Sequence, residues 1–160
     1  MTRQGFTLLE VLVVVMIAAV VTMFAVPAYK KAQDKNKFMA ASGVLVDLAN
    51  GAKMFHADYP SITGNVVLST TASGTCPENP TTANLLVFLK CHKYINEVPL
   101  SGSQYMGYFF SVSVDGRAAC GNACKSSARW WACMSGDNLL PEYQCAYIDD
   151  AGILHHRANK

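Results

Sequence analysis

Residues 5–29, GFTLLEVLVVVMIAAVVTMFAVPAY, decide the architecture of this chain. From Phe6 to Tyr29 the 24 residues carry a single charged side chain, Glu10. About 20 helical residues, at a rise of 1.5 Å each, cross the hydrocarbon core of a bilayer, so this run predicts a membrane-spanning helix. On hydropathy alone, a plain membrane anchor or an uncleaved signal peptide also explains it.

Two details argue against a plain anchor. A carboxylate at the middle of a membrane helix costs about 2.5–3.5 kcal/mol, and somewhat less near its end, so Glu10 needs a partner. Arg3, the nearest cation, lies before Gly5, and another copy of the chain is the natural source of that partner. A secretory signal carries its small-residue cleavage site after the apolar core, whereas Gly5 stands before it. A cut after Gly5 would leave the whole apolar helix on the mature protein.

The run GFTLLE at residues 5–10, followed by a long apolar helix, resembles the class III signal of type IV pilins and pseudopilins. The resemblance covers roughly residues 5–59. It implies that a prepilin peptidase removes residues 1–5 and that the new amino group of Phe6 is N-methylated. It also implies that Glu10 neutralises the Phe6 amine of a neighbouring subunit, since a buried charge is costly alone and tolerable when paired.

The same resemblance implies the partners and the place of the protein. It predicts a membrane-inserted subunit that meets an assembly platform in the inner membrane and then joins a homo-oligomeric helical filament on the bacterial surface. Pilins commonly carry a proline where Pro27 lies, which predicts a kink there; a proline that simply ends the membrane helix is the alternative.

The composition limits the other function classes. A chain of 160 residues holds one ordinary domain beside the anchor. Its net charge of +2 does not indicate nucleic-acid binding. The six cysteines predict disulfides in an oxidising compartment. The positive-inside rule conflicts with that compartment, because four lysines follow the helix at positions 30, 31, 35 and 37. The cysteines and the resemblance place the C-terminal side outside.

Apolar residues after the membrane segment recur at spacings of three and four, which is one face of an amphipathic helix. These residues are Phe38, Ala41, Leu45, Leu48, Ala52, Phe55 and Tyr59. Residues 6–58 therefore predict one long helix. Its first half, 6–29, would form the membrane or filament core, and its second half would pack onto a head that spans residues 30–160.

The expected fold is α+β and pilin-like, with the long helix packed on a three- to four-stranded antiparallel sheet and a disulfide-stapled C-terminal region. A short strand at 66–70 and a short helix at 82–90, capped by Thr81 or Thr82, precede the main strands. The main strands are expected at 104–114, 128–134, 144–149 and 153–156.

The cysteines allow fifteen pairings, and the sequence does not choose among them. Sequence-local bonds are the working hypothesis: Cys76–Cys91, Cys120–Cys124 and Cys133–Cys145. A metal site is disfavoured, because Cys120 and Cys124 lack the close paired spacing of most zinc ribbons. His155 and His156, adjacent in a strand, should face opposite ways, as should Trp130 and Trp131.

No catalytic constellation is present, so the sequence predicts neither an enzyme nor a cofactor. It predicts a pilin that polymerises into a type IV pilus for adhesion, motility or DNA uptake, with surfaces, cells or DNA as candidate contacts of the head. A type II secretion pseudopilin and a minor pilin are the alternatives. A monomeric, membrane-anchored periplasmic binding or redox protein is the more distant one.

Overall fold

The computed structural model describes residues 7–68, 74–98, 104–116, 129–136 and 139–156. Its dominant element is α1, a helix of 51 residues from Leu8 to Asp58. At 1.5 Å per residue this helix is about 75 Å long. Thr7 caps it by accepting the backbone N–H of Glu10 on its hydroxyl at 3.3 Å, and Tyr59 is the C-cap. The prediction of one long helix is confirmed.

Pro27 lies inside α1, and the helix continues on both sides of it. The alternative in which this proline ends the membrane helix is therefore wrong. Proline has no N–H, so the carbonyl of Met23, four residues earlier, loses its helical hydrogen bond. One missing bond within a helix of this length is tolerated because the turns before and after it remain bonded.

The predicted apolar stripe is the face of α1 that packs on the sheet. Leu45, Ala52 and Phe55 are completely buried, and Tyr59 packs at the margin of the same core. The core also includes residues of the second helix, α2, Leu85–Cys91. The spacing of three and four thus placed the buried face correctly, because it follows the period of the helix.

The sheet is an antiparallel meander in which sequence neighbours pair throughout, in the order β1-β2-β3-β4-β5. The strands are β1 Asn65–Val67, β2 Tyr108–Ser113, β3 Trp130–Gly136, β4 Cys145–Asp149 and β5 Leu154–His156. A 3-10 helix, Pro141–Tyr143, lies between β3 and β4. The α+β class is confirmed with five strands instead of three to four. The fifth strand is β1, which corresponds to the short strand expected at 66–70, and its Val66 pairs with Val112 of β2.

Local turn chemistry moves two of the predicted boundaries. Strand β2 begins at Tyr108, because Met106 and Gly107 adopt positive φ angles of 53° and 88° in a turn before it. Helix α2 begins at Leu85, because Thr81 and Asn84 hold each other in a turn. The Thr81 N–H donates to the Asn84 side chain at 2.6 Å, and the Asn84 N–H donates to the Thr81 hydroxyl at 3.3 Å.

One disulfide joins two described residues, Cys76 and Cys91, and it is the pair that the sequence analysis expected. Cys133 and Cys145 also form disulfides, but no bond between them exists. The predicted Cys133–Cys145 bond is therefore wrong. The register explains why: Cys133 lies opposite Tyr147, while Cys145 lies opposite Ser135. The predicted Cys120–Cys124 bond lies outside the described residues.

Candidate assembly surface

The first half of α1 is an apolar rod that the rest of the chain leaves uncovered. Every residue from 7 to 33 is exposed. Its large apolar side chains are exposed by fractions that run from 44% at Val13 to 83% at Leu8. By length and composition, α1 is the one described helix that could cross a membrane. A helix that is apolar on all sides is stable in lipid or against other apolar helices, and not in water.

The polar groups of this rod differ in whether they have a partner within the helix. The Thr22 hydroxyl donates to the carbonyl oxygens of Ala18 and Ala19 at 2.9 and 3.0 Å, so its polarity is satisfied inside the helix. The backbone N–H of Glu10 is satisfied by Thr7. The Glu10 carboxylate is exposed and takes part in none of the ion pairs between described residues. Within residues 7–29, Glu10 is the one charged side chain, and it needs a partner from outside the segment.

Thr7 and Glu10 stand at the N-cap and N3 positions, which is the spacing of a capping box. This N-terminal signal is readable from the run Thr7-Leu8-Leu9-Glu10. A carboxylate in the first turn is also stabilised by the positive end of the helix dipole. Gly5 and Phe6, the predicted processing residues, lie outside the described part of the chain.

The head packs against α1 from Asp34 toward the C-terminal end of the helix. Asp34 is only 3% exposed, and its carboxylate accepts the backbone N–H of Leu140 at 3.3 Å. One turn before it, Lys31 forms an exposed ion pair with Glu142 at 3.7 Å. The Phe38 ring packs on Tyr143 with ring centroids 5.6 Å apart. The sequence gives no signal for Asp34, because its partner is a backbone group 106 residues away.

An aromatic cluster packs around the C-terminal end of α1. The Phe55 ring contacts Tyr59, Phe88 and Tyr94. The Tyr94 hydroxyl donates to the Asp58 carboxylate at 2.5 Å. This hydrogen bond, assisted by burial, raises the pKa of Tyr94 to about 12. The last turn of α1 is therefore tied to the segment that follows α2.

The paired histidines of β5 face opposite ways, as predicted. His155 stacks on Tyr147 and lies 2.7 Å from the Asp149 carboxylate, whereas the His156 ring meets Phe38 of α1. Burial raises the pKa of Asp149, but the Ile153 N–H and the His155 ring outweigh burial and leave that pKa below its usual value. Within the described ranges, no group of three or more metal-ligating side chains occurs.

The two tryptophans also separate. Trp130 is buried in a small cluster with Cys133 and Cys145, whereas the half-buried Trp131 packs at the margin of the main core. The Trp131 ring lies 5.5 Å from the ring of His56, on α1. A register shift between Trp130 and Ala132 accompanies this arrangement. The first tryptophan is a core residue, as expected, and the second is partly covered by the helix.

The family model for the prokaryotic N-terminal methylation motif matches residues 1–26 of the chain. No curated protein and no solved structure matches the chain significantly. The match covers the predicted leader and most of the exposed apolar rod, and it includes the exposed carboxylate at Glu10.

Proposed function

We propose that this chain, which is pilin-like in fold and carries the N-terminal methylation motif typical of type IV pilins and pseudopilins, is a structural subunit of a type IV pilus. It polymerises through the first half of α1. Its cycle begins in the inner membrane, where the apolar rod spans the bilayer, and ends in a filament on the cell surface.

The observation that carries this proposal is the uncovered rod. Residues 7–33 are exposed on every side, while the stripe from Phe38 to Phe55 is buried by the chain's own sheet. The second half of α1 is thus packed against its own sheet, whereas the first half is left incomplete, with its apolar surface uncovered. Lipid can cover the incomplete half before assembly, and rods of other copies can cover it afterwards by close packing.

Processing supplies the partner that Glu10 needs. Cleavage after Gly5 would create a cationic amine on Phe6, and the motif is one associated with methylation of that amine. In a bundle of apolar rods, the amine of one copy and the Glu10 carboxylate of another would neutralise each other. A wrongly docked copy would leave both charges unpaired, so this pair would also select the register of assembly.

A pseudopilin of a type II secretion system, or a minor pilin, is the second candidate, since the same N-terminal motif serves these proteins. Major pseudopilins often use a calcium-binding C-terminal loop instead of disulfides, so the six cysteines favour the pilus. The described bond, Cys76–Cys91, closes a loop of the head beside α2.

Mass spectrometry of the intact chain and its N-terminal peptide tests the proposal. Material sheared from cells is compared with the membrane fraction of the same cells. We expect an abundant sheared species that begins at methylated Phe6 with all six cysteines oxidised. The processed chain confined to membranes would favour a pseudopilin or minor pilin. A chain still starting at Met1 in a competent host would refute the proposal.

A further inference from the structure

A small groove lies on one flank of the head, between α1 and the segment that follows α2. Its floor is apolar and is formed by Val44, Leu48 and Val98. Asp47, Asn96 and Glu97 complete its lining with polar groups. The two carboxylates are exposed, and neither belongs to an ion pair between described residues.

The volume of the groove, about 110 Å³, limits what can occupy it. Small-molecule sites are typically about 300–1,000 Å³. In the same measure one water needs about 10–15 Å³, so the groove is small for a ligand and of a size for part of one side chain. An apolar floor with carboxylates beside it suits a lysine side chain, whose alkyl stem packs on apolar surface while its ammonium group stays at a polar edge.

A lysine of the required kind stands on the opposite flank of the same helix. Lys35 is exposed, and no ion pair between described residues includes it. At about 100° per residue, Lys35 lies roughly 110° to one side of the centre of the buried stripe of α1, and Asp47 lies roughly 130° to the other. One flank of the head therefore offers a free cation, and the other offers a free acidic groove.

We infer, on the basis of the proposed function, that the groove binds the Lys35 side chain of a second copy of this chain. The two contacting surfaces are different, so each copy uses its lysine toward one neighbour and its groove toward another. Such a contact does not close on itself as a two-fold dimer does, and it propagates into an open helical assembly.

The contact also fixes an axial shift between the two copies. Lys35 and Asp47 are 12 positions apart on α1, which is about 18 Å along the helix axis. Pairing of the Phe6 amine with Glu10 demands a shift of only about 6 Å. The two shifts differ by about 12 Å, so we expect the two contacts to join a given copy to different neighbours.

Charge reversal in the full chain tests the inference, with fibre sheared from assembly-competent cells measured relative to total chain. We expect K35E, and separately D47K/E97K, to lower the yield of fibre at least about fivefold. K93E is the matched control, because it makes the same charge change on an exposed lysine of the head that belongs to neither the rod nor the groove lining. It should assemble at close to the native yield.

Two rescue experiments separate the contact from general effects of charge. The triple variant K35E/D47K/E97K restores opposite signs within one chain and should recover the fibre. Cells that express K35E together with D47K/E97K should form mixed fibres. The acidic side chain at position 35 of the first variant suits the basic groove of the second, and Lys35 of the second variant suits the acidic groove of the first.

The inference is overturned if K35E assembles at the native yield, if K93E is as harmful as K35E, or if both rescue experiments fail. Equal harm from K93E would mean that a general loss of positive charge on the head, and not this contact, lowers the yield of fibre. A native chain that forms no fibre in the same cells refutes the proposed function instead, so the two failures are distinguishable.

Discussion

Replacement of Gly51 by alanine should destabilise the head, although alanine is the better helix former. Gly51 is buried in α1 where the helix passes the segment after α2. A Cβ atom at this position would overlap the Tyr94 carbonyl oxygen and would lie 3.1 Å from Cγ2 of Ile95. The close atom belongs to the backbone and cannot rotate away. The segment would have to retreat by roughly 1.5 Å to reach an ordinary contact distance.

The magnitude follows from two opposing terms. Glycine to alanine in a helix interior gains about 1 kcal/mol from propensity. Overpacking of a filled site costs about 1–3 kcal/mol, or more when backbone must move. The retreat would also pull the Tyr94 hydroxyl from Asp58, a bond worth about 1 kcal/mol. We therefore expect Gly51→Ala to lower the free energy of unfolding by about 2 kcal/mol.

Gly43, two turns earlier in the same helix, provides the matched control. A Cβ atom there would meet nothing within 4 Å. Gly43→Ala should therefore keep the propensity gain and stabilise the chain by up to about 1 kcal/mol. The two variants carry the same chemical change and should differ by roughly 3 kcal/mol.

Urea unfolding of the full chain in detergent, with disulfides intact, measures this difference. Fluorescence of Trp130 and Trp131 reports on the head, because both residues lie in β3. Equal slopes of the free energy against urea would show that the midpoints compare stability alone. A Gly51→Ala midpoint equal to or above that of Gly43→Ala would refute the close approach of Tyr94 to the helix.

Three further predictions concern the rod, the hairpin and the disulfide. Glu10→Ala should leave membrane insertion intact and abolish most sheared fibre, since the Phe6 amine would be buried unpaired; abundant normal fibre would exclude the proposed role of Glu10. Despite burial, the pKa of Asp149 lies below its usual value because of the Ile153 N–H and the His155 ring, so the native chain gains stability above about pH 4 and loses it as pH falls through the folded pKa. Asp149→Asn should flatten the decline of the unfolding free energy between about pH 5 and 2, and equal declines would contradict the pairing. Replacing Cys76 and Cys91, 15 positions apart, by serine should lower the free energy of unfolding by about 3 kcal/mol in the same urea assay; an unchanged midpoint would count against that value.

The long helix and its buried face were predictable because local patterns determine them. The spacing from Phe38 to Phe55 repeats with the period of a helix, and the face it defines is the buried one. The exposed rod was likewise readable from its composition. Glu10 could be selected as the unusual residue because a charge in an apolar segment stands out without any knowledge of tertiary contacts.

Contacts between distant segments were not predictable. A short strand at 66–70 was expected and β1 overlaps it, but its pairing with β2, 40 or more positions later in the chain, could not be read from the sequence. Asp34 looks like an ordinary surface acid until the Leu140 N–H is placed beside it. The acidic groove has the same origin, because Asp47 and Glu97 are 50 positions apart.

The cysteines show the same limit. Nearness in the sequence correctly indicated Cys76–Cys91, because α2 ends beside the segment that contains Cys76. The same rule was wrong for Cys133 and Cys145. Strand register places them diagonally on neighbouring strands, and register depends on the whole meander instead of the loop between two residues.

The lengths of the outer strands bear on how densely the heads can be crowded. Among the described strands, those at the two borders of the sheet, β1 and β5, are three residues long. Long, flat border strands present unpaired backbone groups that recruit other sheets and cause aggregation, whereas short ones offer little to pair with. Heads of this kind can be held side by side at high local concentration without merging into a common sheet. The addition of copies would then depend on contacts of α1 and not on pairing between strands of neighbouring heads.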